Sequence, residues 1–202
     1  MLRILNVVLK LALLLLLLFA ALRPDLPQFH GKAMSARLWT FGFAALVLPL
    51  LWASSGARAK GYAYPDVLDM LVVLPFLLDA AGNALNLYDS ITWFDDVMHF
   101  ITWLPWVVSF GLLLHYAPAL PRWAHAGLVL GFGAVTHILW ELAEYLTFIR
   151  FNPDEYRTAY TDTLGDLAMS LSGSACGAVL IGTLLWRYGK TLRVRVARTS
   201  SS

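Results

Sequence analysis

Long apolar runs separated by short polar breaks dominate the chain. Six such runs lie near residues 4–22, 37–53, 66–87, 97–117, 124–149 and 164–187. A bilayer core of about 30 Å is crossed by about 20 apolar residues of helix, and each run is near that length. The runs do not alternate at a period of two, so membrane strands are poorly supported. The breaks hold helix-ending residues: Pro24 and Pro27, Ser54-Ser55-Gly56, Pro118 and Pro121, and Asn152-Pro153-Asp154. Trp39, Trp52, Trp93, Trp123 and Trp186 fall near helix ends, where headgroups favour them. Pro75 and Pro105 sit inside the third and fourth runs, and each removes a backbone donor and kinks its helix. The pattern predicts an all-α integral membrane bundle of about six transmembrane helices. It forms one domain over residues 1–202, with 188–202 as a basic tail.

Composition agrees. Of 202 residues, 59% are hydrophobic and only 14% charged, against about 25% charged in a soluble domain. That excludes a disordered chain and argues against an ordinary soluble globule. The formal net charge is +2 and the basic cluster is a short tail, which argues against a nucleic-acid partner. The single cysteine, Cys176, cannot form an internal disulfide or a CxxC metal site. The first run also fits a signal peptide, with Leu11 to Leu18 followed by Phe19-Ala20-Ala21. Retention as a helix is the preferred reading. Lys10 within it is awkward, and snorkelling would place it at the interface.

Loop charges set the orientation. The N-terminus, the second and fourth loops and the C-terminus hold nine Lys or Arg residues, including Arg58, Lys60 and Arg122, against five on the other side, including Lys32 and Arg37. The richer side faces the cytoplasm, so both termini lie inside. The location expected is the inner (plasma) membrane, with lipid as the surrounding partner.

The acids are distributed unevenly. Most fall at the outer ends of helices three to six, while Asp66 and Asp69 sit at the inner end of helix three, where capping and wetting account for them. An ionised group at a helix centre costs at least about 2.5–3.5 kcal/mol, so each intramembrane acid needs a partner, water or a proton. Spacing fixes their faces. Asp95 and His99 are i and i+4; His137, Glu141 and Glu144 are i, i+4 and i+7; Asp162 and Asp166 are again i and i+4. Asp79, Asn83 and Asn86 form a comparable stripe on helix three, with Asp79 placed mid-membrane. Lipid cannot solvate these stripes, so they turn towards each other and line an outward-facing polar pocket.

Imidazole with carboxylate suits a divalent Zn, Mn or Fe ion. Helical i, i+4 spacing is how bundles present such ligands. The candidate ligands are Asp95, His99, His137, Glu141 and Asp162. Glu144 and Asp166 are candidate general bases, and Asp79, Asn83 and Asn86 candidate pocket-lining residues. The competing account is a structural network satisfied by Arg150, Arg157 and nearby tyrosines. His30, His115 and His125 read as interfacial. Gly131-Phe132-Gly133 lacks a preceding strand and reads as a helix-packing element, not a nucleotide loop.

These residues carry a family resemblance. Phe94-Asp95 with His99-Phe100, Trp140-Glu141 with Glu144, and Asp162 with Asp166-Leu167 and the small residues through Gly177 resemble the YjdF-like inner-membrane proteins. A weaker similarity extends to the VanZ-like proteins. The match spans roughly residues 88–182. It implies a small multi-helix membrane protein with Asp95, His99, Glu141, Glu144, Asp162 and Asp166 as pattern residues, and brings no activity with it. His137 rests on spacing alone. Three functions fit: a metal-assisted enzyme on lipid or lipid-linked envelope substrates, a small transporter or ion pathway through Asp79, and a non-catalytic envelope or assembly factor. The first is favoured by the clustered ligands.

Overall fold

A computed structural model describes residues 1–57, 59, 61–114 and 120–199, with side chains through residue 184. The readings of Arg58, Lys60, His115 and Pro118 lie outside the described residues, and those that rest on the side chains of Trp186 and of the basic tail lie outside the described side chains. The elements are α1 (Leu2–Leu22), α2 (Met34–Ser54), α3 (Asp66–Ala84), a short α4 (Leu87–Ser90), α5 (Phe94–Leu114), α6 (Arg122–Thr147), a 3-10 turn (Ile149–Phe151) and α7 (Pro153–Thr199). Six of them are long and apolar enough to cross a membrane, and no strand occurs among the described residues.

The largest boundary differences are at α7, which starts at Pro153 and not near 164, and continues to Thr199 and not only to 187, so the helix takes in most of the expected tail. Asp154, Glu155 and Arg157 depress local hydropathy without breaking the helix. Pro at the first position lacks only a donor the helix would not use. The Asn152 Oδ1 accepts from the Asp154 amide at 3.2 Å, satisfying one of the free donors of the first turn. At the other extreme α3 ends at Ala84, earlier than 87, and Asn86 adopts a left-handed conformation at φ 58°.

Large apolar side chains such as Leu15, Phe43, Val135 and Val179 are exposed on the outside. Inside, polar groups share the core with Leu13, Phe41, Val73, Val107 and Ile181. This is the division a lipid solvent imposes. α3 packs on α1, α2 and α5; α5 packs on α3, α6 and α7; α6 packs on α5 and α7. Glycines set how closely α5 and α7 approach. A Cβ at Gly173 would strike the Phe100 carbonyl, and one at Gly177 the Leu104 carbonyl and Val107. Gly133 of α6 faces Ser174 in the same way, whereas Gly131 faces open space, so only one of that pair serves packing.

The end carrying the chain's N-terminus departs from the sequence reading. Lys10 does not snorkel: its Nζ is 2.5 Å from Asp69 Oδ2, with both side chains largely buried. Asp69 is fully buried, not wetted. It also accepts from Asn6 Nδ2 at 2.8 Å and from the Tyr64 hydroxyl at 2.6 Å. Burial, then the Asp69 hydrogen bond, push the Tyr64 phenol up, so it stays a donor at ordinary pH. α1 is therefore joined to α3 by ions as well as by Leu13 and Leu17.

Candidate metal and lipid-facing site

At the opposite end the first turns of α2 and α5 and the third to fifth turns of α7 meet the later turns of α3 and α6. Asp95, His99 and Trp103 follow one face of α5, and the glycine-permitted approach of α7 brings Asp166 and Ser170 against it. His99 Nε2 lies 3.5 Å from Asp95 Oδ1 and 3.4 Å from Asp166 Oδ1. Both are longer than good hydrogen bonds. The His99 Nδ1 lies 3.1 Å from Ser170 Oγ. The tautomer protonated at Nδ1 donates to Ser170 Oγ and leaves the Nε2 lone pair free, as a metal-ligating imidazole requires.

α6 adds the second wall. His137 Nε2 and Glu141 Oε1 are 2.9 Å apart, close enough for an ion pair, yet neither atom makes a hydrogen bond of acceptable direction. Both residues are buried, at 2% and 9% exposure. The distance alone would suggest a satisfied pair; the direction decides otherwise. The other Glu141 oxygen accepts from Thr163 Oγ1 at 3.1 Å. The His99 and His137 rings are 5.2 Å apart, and the Trp103 ring packs against both. Trp103 is itself fixed by its indole donating to the Gly133 carbonyl at 3.1 Å.

The donors therefore form two overlapping triplets, His99–His137–Glu141 and Asp95–His99–Asp166, each with ligand atoms within 4.8 Å of one another. Ligand atoms around a tetrahedral zinc at about 2.0–2.1 Å sit roughly 3.3 Å apart. The separations of 2.9, 3.4 and 3.5 Å bracket that value. An imidazole beside Ser170, a carboxylate anchored by Thr163, and two buried atoms 2.9 Å apart whose directions make no hydrogen bond fit a divalent cation.

Beside this cluster is a cation the sequence reading counted as a loop charge. Arg37, in the first turn of α2, donates to Asp79 Oδ2 at 2.5 Å and to Glu144 Oε1 at 3.3 Å. Its guanidinium lies 5.5 Å from the Trp140 ring centre. The Tyr88 hydroxyl donates to Asp79 Oδ1 at 3.1 Å, and burial followed by the Asp79 charge pushes that phenol well up. Arg37 could have been suspected only from the need of Asp79 and Glu144 for a partner. Arg150 and Arg157, offered for that purpose, are elsewhere: Arg157 pairs with Asp154 and Arg150 stacks on Phe151.

A cavity of about 740 Å³ opens onto the site, lined among others by Arg37, Asp79, Asn83, Asp95, His99 and Glu144. Asp79 lies five residues from the end of α3, about 7–8 Å along the axis. Asp162 lines the cavity but stands outside both triplets. Asp166, expected as a base, sits within one. Asn86 is exposed and does not line the cavity, because the helix ends before it. His30 lines the mouth without joining a triplet. His125 lies against the Gly111 carbonyl at the far end.

Fold and site together define a multi-pass helical membrane protein with an ionisable cluster inside its bundle. The chain belongs to the family described as predicted membrane protein (DUF2238), matched over residues 5–190, and the YjdF-like resemblance is consistent with that membership. No curated protein and no solved structure matches the chain.

Proposed function

We propose that this protein is a metal-dependent enzyme of the cell envelope, embedded in the inner membrane and acting on a lipid or lipid-linked substrate from the outer side. The observation carrying this reading is the pair of buried, hydrogen-bond-orphaned atoms, His137 Nε2 and Glu141 Oε1, converging with His99. Leaving such atoms without a partner costs about 1–3 kcal/mol each, and more where charged; a divalent cation would compensate both. His99, His137 and Glu141 would hold a Zn-, Mn- or Fe-class ion, with Asp95 and Asp166 at the adjoining positions. Such an ion, when bound, polarises an ester or phosphoryl oxygen and acidifies water.

The chain's own groups divide the remaining work. Asp162, outside both triplets, is the carboxylate available to take a proton. Glu144 is a weaker candidate than its position suggested, because Arg37 holds its Oε1. Asp162, open to the cavity, would orient an incoming group. Trp103 shields one side of both imidazoles from water.

One observation favours the assembly-factor reading: Arg37 ties α2 to α3 and α6 through two carboxylates, as a purely structural knot would. The transporter reading draws little from Asp79, which is paired with Arg37. Metal content by mass spectrometry on detergent-purified, monodisperse protein separates the metal enzyme from the assembly factor. About one ion per chain in the wild type, lost in His99→Ala, His137→Ala and Glu141→Gln, is expected. No ion after adding Zn, Mn or Fe back overturns the metal mechanism.

A further inference from the structure

The cavity has an open side. α2 packs along α1 and α3, and α6 along α5 and α7. Between α2 and α6 lies a cleft floored by α3 and α5. The two walls meet through Arg37, which reaches Glu144, and through Phe41, whose ring stacks on Trp140 at 5.8 Å and 23°. Leu139 both lines the cavity and is 60% exposed on the outer surface, and Thr40 on the facing wall is exposed too. At these two residues the cavity and the bilayer-facing surface are continuous.

The cleft also has a polarity gradient along the membrane normal. At its outer end it holds Arg37, Asp79 and Glu144; further in it is walled by Phe41, Phe76 and Trp106, with Leu139 at the level of the Glu141–His137 pair that brackets it on α6. From Glu144 to Thr136, both lining residues on α6, is eight residues, about 12 Å of helix. That order, charged and then apolar over roughly a leaflet's headgroup and upper chain region, is the order of groups in a membrane lipid. The volume of about 740 Å³ lies within the roughly 300–1,000 Å³ of small-molecule sites.

We infer that the α2–α6 cleft is a lateral entrance in which a membrane lipid lies with its headgroup at Arg37 and the histidine–carboxylate cluster and an acyl chain along Phe41, Phe76, Trp106 and Leu139. The inference rests on the enzymatic reading for what happens at the headgroup end, and on the cleft alone for the binding. Substrate then reaches the cluster from within the bilayer, without passing through water. Arg37 would act as a latch between the walls.

The test uses full-length protein reconstituted in phosphatidylethanolamine–phosphatidylglycerol vesicles, extracted in mild detergent and weighed by native mass spectrometry. Wild type is expected to retain about one phospholipid per chain. Leu139→Trp and Thr40→Trp fill the cleft from opposite walls. Leu142→Trp places the same bulk three residues along α6, at a residue that is 53% exposed and outside the cavity lining. At least one well-folded cleft variant should retain about tenfold less lipid than Leu142→Trp. No retained lipid in the wild type, full retention in both cleft variants, or equal loss in Leu142→Trp overturns the inference. Metal content measured on the same samples is independent: its absence would sink the enzymatic reading while leaving the lipid result to stand or fall alone.

Discussion

Lys10 and Arg37 show how single residues govern this bundle. Each is a cation in an apolar helix, and each is held by a carboxylate of α3. Removing one partner of a buried pair leaves an uncompensated charge and costs about 3–5 kcal/mol, whereas replacing both by apolar groups is often close to neutral. Lys10→Met is therefore expected to lower stability by about 3 kcal/mol, and the double variant Lys10→Met with Asp69→Leu to recover to within about 1 kcal/mol of wild type. Thermal unfolding in detergent, followed by loss of the monodisperse peak, measures both. A double variant as unstable as the single one would show that Asp69 matters for its bonds to Asn6 and Tyr64 and not for the charge pair. Neither partner was legible in the sequence. Spacing reveals which residues share a helix face, so the stripes through His99, His137 and Asp166 could be read. It does not reveal which distant residue meets that face, and Arg37 is 42 residues from Asp79.

Among the elements, the α5–α7 contact decides whether the site exists. Asp166 and Ser170 reach His99 because Gly173 and Gly177 let the two backbones close up below them. Gly177→Val would push into the Leu104 carbonyl and Val107, and overpacking of this kind costs about 1–3 kcal/mol. It should also weaken metal retention, since it moves α7 away from His99. Gly131→Ala, where nothing lies within 4 Å, should be neutral or stabilising by up to about 1 kcal/mol through helix propensity. Unfolding midpoints and metal content of the two variants, compared side by side, check this. Equal effects would mean the small residues are incidental. The spans themselves were readable from hydropathy because bilayer thickness dictates their length. Their ends were not: α7 runs on past its apolar stretch into charged turns, and α3 stops short of Asn86, because hydrogen bonding and not hydropathy sets where a helix ends.

For the whole molecule, the count of six candidate spans puts the described start of α1 and the far end of α7 on one side, opposite the cavity. The excess of basic residues on the side of the termini predicts that this side is cytoplasmic. Alkaline phosphatase fused after the last helix should then be inactive in cells, and a fluorescent protein fused there should fold and fluoresce. The reverse pattern would turn the cavity inward and remove the envelope from the proposed function.

The two cationic contacts on α3 have a further consequence. Asp69 and Asp79 are ten residues apart, about 15 Å along the axis and roughly 80° apart around it. One is gripped by the first helix and the other by the second. The α1–α2 hairpin thus works as a ruler laid against α3. Slipping α3 by a single residue would turn each carboxylate by about 100° and shift it about 1.5 Å, so both grips would fail together. The floor of the lipid-facing cleft therefore has one permitted registry, set partly by a contact at the opposite face of the membrane.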